Sequence, residues 1–158
     1  MNYVRGVARI SNPAGTITEA TAFLTFYNDT TTERVTNNGP IRVIDRTGTG
    51  TVYFDDLAFA SFSNPDTFRD GTAIQVCGLR HQVVLDTSTG YFTATFEMAV
   101  TSVNSFQIDG HTYQLGKPGD VYRYVVSGKL ETVTPPSAYM AGVATGSGAE
   151  AIELAGVY

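Results

Sequence analysis

The sequence predicts an all-β chain, a single-domain antiparallel sandwich or barrel of about nine strands, on three observations. The first is a two-residue period in Tyr91 to Val103. Phe92, Ala94, Phe96, Met98 and Val100 share one parity, and Tyr91, Thr93, Thr95, Glu97 and Thr101 share the other. Successive strand side chains point to opposite faces, so this pattern describes a strand with one buried and one wetter face. The second is turn chemistry between such runs. Asp86-Thr87-Ser88-Thr89-Gly90 follows Val83-Val84-Leu85, and Asp109-Gly110 lies between Ile108 and His111. Asp-Gly flanked by alternating apolar residues is a strong hairpin signal, because both residues tolerate positive φ. The third is composition: charged residues make up only 16% against 42% hydrophobic, with 16 Gly and no Trp. Abundant Thr suits pleated surfaces that are polar without being charged.

The elements follow in order. Tyr3 to Ile10 alternates Val4, Gly6, Ala8 and Ile10 against Arg5 and Arg9, a first strand ended by Ser11-Asn12-Pro13-Ala14-Gly15. Thr16 to Tyr27 sets Ala20, Ala22, Leu24 and Phe26 against Glu19, Thr21 and Thr25. Phe23 and Tyr27 are apolar exceptions on the wetter face and so candidate contact residues. Asn28 to Pro40 is polar and reads as a loop or an extended hairpin end. Ile41–Arg46 and Thr51–Asp55 read as short strands joined by a turn at Thr47-Gly48-Thr49-Gly50. Leu57 to Phe62 is an apolar run expected to be a strand covered on both faces. From Ala73 the apolar phase changes from even (Ile74, Val76) to odd (Leu79, His81, Val83, Leu85), which predicts a bulge near Gly78.

Gln75 to Glu131 is expected to form four antiparallel strands in sequence order, a C-terminal meander. In the last of them Tyr122, Tyr124, Val126 and Leu130 face one way, after a turn at Gly116-Lys117-Pro118-Gly119-Asp120. Thr134-Pro135-Pro136 stops the sheet, since proline cannot donate to a ladder. The chain therefore divides into an antiparallel β domain over residues 1–136 and an Ala/Gly-rich tail or arm over 137–158. Two turns of helix are expected within that tail at Ala149 to Ala155.

Charge and motifs exclude several functions. The net charge is −5, with Lys117 and Lys129 as the lysines. Nucleic-acid binding wants a basic stripe that displaces counterions, so no nucleic-acid partner is expected. No basic amphipathic helix points to a membrane surface, and no apolar run approaches a transmembrane span. Met1-Asn2-Tyr3-Val4-Arg5 is not an apolar signal sequence, which leaves virion, extracellular and cytoplasmic placements equal. Cys77 is the one cysteine; in an apolar strand it is expected to be a small buried hydrophobe.

Nucleophile elbows, phosphate-binding loops and zinc motifs are absent, so no catalytic residue, metal ligand or cofactor is assigned. Asp55, Asp56, Asp66 and Asp70 do not follow a calcium-loop spacing and read as solvated turn acids. His81 shares the core parity, and His111 follows a turn and should be exposed.

The leading expectation is a non-enzymatic structural or assembly module forming homo-oligomers, of the kind found as a subunit or decorating protein of a virus-like or extracellular assembly. Its expected contact residues are Phe23, Tyr27, Tyr139, Met140, Ile152, Leu154 and Tyr158. The alternative is a lectin-like carbohydrate-binding module, with Tyr113 offering an aromatic face and Asp109 and His111 offering polar groups beside it. A β-scaffold enzyme or a binder of a small apolar ligand is the further alternative.

Overall fold

The structure, a computed structural model, describes residues 2–5, 22–57, 60–61, 63–130, 138–145 and 149–152. Ten strands are present among them: β1 (Asn2–Arg5), β2 (Leu24–Asn38), β3 (Ile41–Phe54), β4 (Thr72–Asp86), β5 (Tyr91–Val103), β6 (Phe106–Ile108), β7 (His111–Leu115), β8 (Val121–Lys129), β9 (Ala138–Thr145) and β10 (Ala149–Ile152). Every pairing is antiparallel. The main sheet has seven strands in the order β1-β2-β3-β4-β5-β8-β9, and a small sheet has the order β10-β7-β6. The all-β antiparallel expectation holds.

Several boundaries differ from the sequence reading, each for a physical reason. Thr47 to Gly50 is not a turn: β3 runs unbroken through it, paired with β2 and β4. Its glycines serve close approach instead. A Cβ on Gly48 would sit 2.0 Å from the Asp29 carbonyl oxygen, and one on Gly50 would sit 2.2 Å from the Met98 methyl. Asn28 to Asn38 is likewise the outer part of β2, closed by Gly39 at φ 57, so β2 and β3 are longer than a short-strand pattern implies. Leu57 to Phe62 is no strand where it is described: Leu57 is exposed, Ala60 is buried, and Ser61 makes an isolated bridge to Asn64. A 3₁₀ turn at Pro65–Arg69 follows.

The meander over residues 75–131 holds for β4, β5 and β8, but the β6–β7 hairpin leaves the main sheet. Asn104 makes the exit: its backbone N–H donates to Ile74 O at 2.9 Å and its side-chain amide to Ala73 O at 2.9 Å. Residues Ala149–Ile152, expected to be helical, form a strand on β7 in the register Ala149↔Leu115 to Ile152↔Thr112; residues 153–155 lie outside the described residues. The Ala/Gly-rich tail also contributes β9, paired with β8 from Val121↔Thr145 to Gly128↔Ala138.

The phase change on β4 is produced by a bulge slightly ahead of Gly78, and a second irregularity lies opposite it on β5. Against β3, Val52 pairs Gln75 and Tyr53 pairs Ala73, which leaves Ile74 as the extra residue. Against β5, Val76 pairs Ser102 and Cys77 pairs Val100, which leaves Thr101 extra; its hydroxyl donates to Val76 O at 3.0 Å. A bulge lets two neighbouring residues point inward. Ile74 and Gln75 are both buried as a result.

The main sheet is curled, with its apolar face inside. β2 and β8 stand four places apart, so a flat sheet would hold them about 19 Å from each other. Yet Phe26 of β2 and Tyr122, Tyr124 and Val126 of β8 pack against one core cluster, and the Asn28 side chain comes close enough to the Tyr124 hydroxyl to oppose the rise of its pKa. Met98 of β5 similarly reaches over Cys77 to cover Gly50 of β3. The concave core comprises Cys77, Leu79, Ala94, Phe96, Met98 and Val100, with Phe26, Phe92, Tyr122, Tyr124 and Val126 packed against it. At one end Leu24, Ile74 and Phe106 join the small sheet to it, helped by a hydrogen bond of 2.6 Å from the Gln75 amide to Leu115 O.

On the convex side, residues of the 60–70 segment cover β2. Thr25 Oγ1 donates to Phe68 O at 2.8 Å, and Arg69 lies 4.6 Å over the Tyr27 ring.

The glycine contacts make a paired prediction. Gly48→Ala drives a methyl into backbone that cannot swing aside and should lower stability by about 1–3 kcal/mol. Gly78→Ala meets nothing within 4 Å and should stay within about 0.5 kcal/mol of the parent. Urea-unfolding midpoints of the two variants measure both.

Candidate functional site

The concave face changes character along its length. Near the small sheet it is closed, whereas toward the Gly39 and Asp86–Gly90 turns it opens into a groove of about 270 Å³. Ile44 of β3, Val83 and Leu85 of β4, Phe92 of β5 and Val126 of β8 wall the groove, with Leu130 at its rim. These are the outer positions of the same alternating runs that build the core, so the groove is core surface left uncovered by the described residues.

At its inner end one cross-strand row carries the chemistry. Arg46, His81, Phe96 and Tyr124 are register partners on β3, β4, β5 and β8. Directly opposed residues share a face, and aromatic pairs there add attraction beyond area burial. The His81 ring stacks on Phe96 at 4.1 Å, and Phe96 stacks on Tyr124 at 4.5 Å.

His81 is 4% exposed and its Nδ1 has no hydrogen-bond partner. Leaving a buried polar atom unpaired costs about 1–3 kcal/mol, so His81 stands out from an otherwise apolar wall. Burial, and then the neighbouring Arg46 cation, hold its pKa down to about 4, so the ring is neutral at physiological pH. Arg46 is half-buried; its Nε donates to Thr32 Oγ1 at 3.3 Å. The acids nearest in sequence are committed elsewhere. Glu33 accepts from Thr47 Oγ1, and Asp45 accepts from Arg34 and Gln82 on the other face. Other buried polar atoms without a partner on the concave face are Asn28 Oδ1, Thr30 Oγ1 and the Tyr122 hydroxyl.

The remaining titratable groups of the interior are inert at neutral pH. Burial pushes the Cys77 thiol up to about 11 and the Tyr124 phenol up to about 12. Cys77 is thus the buried hydrophobe expected of it, since a reactive cysteine needs a lowered pKa.

The convex face is a polar ladder. Arg34 pairs Asp45 at 2.8 Å and Arg123 meets Glu97 at 3.7 Å across β8 and β5. Exposed pairs of this kind contribute little stability. Gln82, then Arg34, hold the Asp45 carboxyl below its usual range. Among the described residues no group of three His, Cys, Asp or Glu is placed to hold a metal ion. Asp66 pairs with Arg69, and Asp55 accepts the Leu57 N–H at 3.0 Å.

The residues singled out from sequence are scattered. Asp109 (φ 51) and Gly110 (φ 79) form the β6–β7 turn, as their types require. His111 is exposed at the start of β7, while Tyr113 is half-buried with its ring 5.9 Å from Phe106. Tyr113 packs into the cluster joining the two sheets rather than standing free as a platform. Phe23 is 40% exposed and meets Phe54 edge-on. Tyr27 does not face outward: it is 3% exposed, covered by Ala60, Phe68 and Tyr53. A segment distant in sequence supplies that cover, which strand parity cannot register. Tyr139 and Met140 lie in β9 opposite Ser127 and Val126, and Ile152 lies in β10 opposite Thr112. Leu154 and Tyr158 lie outside the described residues.

His81 was legible as inward-facing, and Arg46 was not. Thr47 to Gly50 reads as a turn from sequence, so β3 had no register that placed Arg46 beside His81.

The depressed His81 pKa has a pH consequence. An unfolded histidine titrates near its ordinary value of about 6.5, and the folded one near 4. Between them the unfolded chain binds the extra proton, so this contribution is complete above the ordinary value and is lost as pH falls through the folded value. The melting temperature should fall over that window, and His81→Phe, which keeps the stack, should flatten the decline in a calorimetric pH series.

The chain matches no protein-family model, no curated protein and no solved structure.

Proposed function

We propose that this chain is a non-enzymatic assembly module that joins a second copy of itself edge to edge through β9. The observation that carries this is the composition of β9. Ala138-Tyr139-Met140-Ala141-Gly142-Val143-Ala144-Thr145 contains no charged residue and no proline. On one side it is paired to β8 along its whole length; on the other, no described strand pairs with it.

An exposed row of unpaired N–H and C=O groups is a template for strand addition, and monomeric proteins blunt such edges with lysine, proline, bulges or short length. β9 has none of these. The side chains beside the edge agree: Val143 is 71% exposed and Val121 of β8 is 45% exposed. Two β9 strands meeting antiparallel about a two-fold axis would continue the main sheet from one copy into the next, the self-complementary geometry of closed dimers.

Gly142 fits the same reading. A Cβ there would lie 2.5 Å from the Arg123 carbonyl oxygen, so its glycine keeps β9 tight on β8 and leaves the outer edge straight.

This reading moves the contact surface away from Tyr27 and onto the strand holding Tyr139 and Met140. The sugar-binding reading has less behind it, because the Tyr113 ring is occupied by packing against Phe106.

The test is the solution mass of the full chain and of an Ala141→Lys, Val143→Lys variant. Both positions are exposed, so the lysines leave the core alone and place like charges across the joint. Light scattering should give twice the chain mass for the parent and the single-chain mass for the variant, with unchanged far-ultraviolet dichroism. A monomeric parent, or a variant that stays dimeric, overturns the proposal.

A further inference from the structure

The groove at the open end of the concave face holds a feature that edge-to-edge assembly does not use. Its walls are aliphatic and aromatic, yet its inner end presents a half-buried guanidinium and a buried imidazole nitrogen with no partner. Core surface alone does not call for either group, since a buried polar atom is normally hydrogen-bonded. We infer that this groove binds a small monocarboxylate with an apolar tail, its carboxylate held by Arg46 and His81 and its tail lying along Val83, Leu85, Phe92 and Val126.

The chemistry is specific about the head group. An arginine carries five N–H donors in a planar fork that matches a carboxylate in bidentate geometry. The Arg46 Nε donates to Thr32, and among the described residues it has no carboxylate partner. The acids close to it in sequence, Glu33 and Asp45, are hydrogen-bonded to Thr47, Arg34 and Gln82. His81 is the register partner of Arg46 on the adjacent strand and lines the same groove, and its neutral ring can present an N–H to a second carboxylate oxygen. The Phe96 and Tyr124 rings stacked behind His81 hold its plane fixed, so the donor is positioned before any ligand arrives.

The size of the groove sets the tail. At about 270 Å³ it falls just under the range of drug-sized pockets, which suits a short acyl chain or a single ring. Recognition of this kind pairs an apolar channel with a few convergent polar groups. Because the groove lies on the concave face and β9 forms the edge of the sheet, the two readings stand or fall separately.

Isothermal titration calorimetry of the full chain with octanoate, below its micelle point, tests the inference, with octanol as the same tail without the charge. The parent should bind one octanoate per chain saturably, and octanol about tenfold more weakly, the difference a charge-assisted hydrogen-bonded pair supplies. Arg46→Gln should leave octanol binding unchanged and erase the preference for octanoate. Val83→Trp, which fills the groove, should abolish both. Absence of saturable octanoate binding by the parent overturns the inference. So does equal octanoate binding by the parent and Arg46→Gln, which would mean adhesion to apolar surface only.

Discussion

The curl of the main sheet is the constraint on which the rest depends. A seven-strand antiparallel sheet has two faces, and here one is apolar while the other carries the polar ladder of Arg34, Asp45, Glu97 and Arg123. Rolling the sheet so that β2 approaches β8 lets the inner side chains cover one another without a full second layer. The approach of Asn28 to Tyr124 and the Met98 methyl over Gly50 are the points where that closure is made. Both meet at Gly50, and Gly48 lets the β2 backbone at Asp29 come close, which explains why glycines lie in a central strand where they are otherwise unfavourable. Each glycine lowers strand propensity and in return lets neighbouring elements approach.

The curl also creates the two surfaces on which the functional proposals rest. Where the inner face is fully wrapped it is core, and where the wrap runs out it becomes the groove. The row Arg46–His81–Phe96–Tyr124 marks the border: aromatic stacking on one side of it, open aliphatic wall on the other. At the sheet's margin, β9 presents an uncharged backbone ladder. One device makes an interior and a rim together, the two places to which the proposed ligand binding and the proposed assembly are assigned.

Much of this was legible in the residues. The period-two runs identified the inward positions of β4, β5 and β8 correctly, including His81, and Asp109-Gly110 identified its hairpin. Val76 and Leu130 are the exceptions: after the Ile74 bulge the buried neighbours are Gln75 and Cys77 rather than Val76, and Leu130 lies past the end of β8, where the sheet no longer covers it, and is 57% exposed. Misreadings cluster where a residue type has two physical uses. Glycine in Thr47–Gly50 served clearance rather than a turn, and Ala-rich Ala149–Ile152 formed a strand because β7 offered it an edge. Isolated helical propensity over so short a stretch is too slight to resist such pairing. Tyr27 shows the other limit, since the 60–70 segment that buries it is laid on β2 by tertiary contacts such as the Thr25–Phe68 hydrogen bond.

The detour of β6 and β7 carries a consequence for how the molecule assembles itself. β2–β3 and β4–β5 each close across a tight turn, so those two hairpins zip from their loops outward at little entropic cost. Two joints must wait for a longer loop to close: β3–β4, separated by residues 55–71, and β5–β8, separated by the excursion between Val103 and Val121. The half of the sheet that hydrogen-bonds β9 is therefore reached only after the second of these closures. Until it forms, β5 is itself a bare margin, and its Phe92–Val100 stripe is the surface a nascent chain most needs to keep from its neighbours.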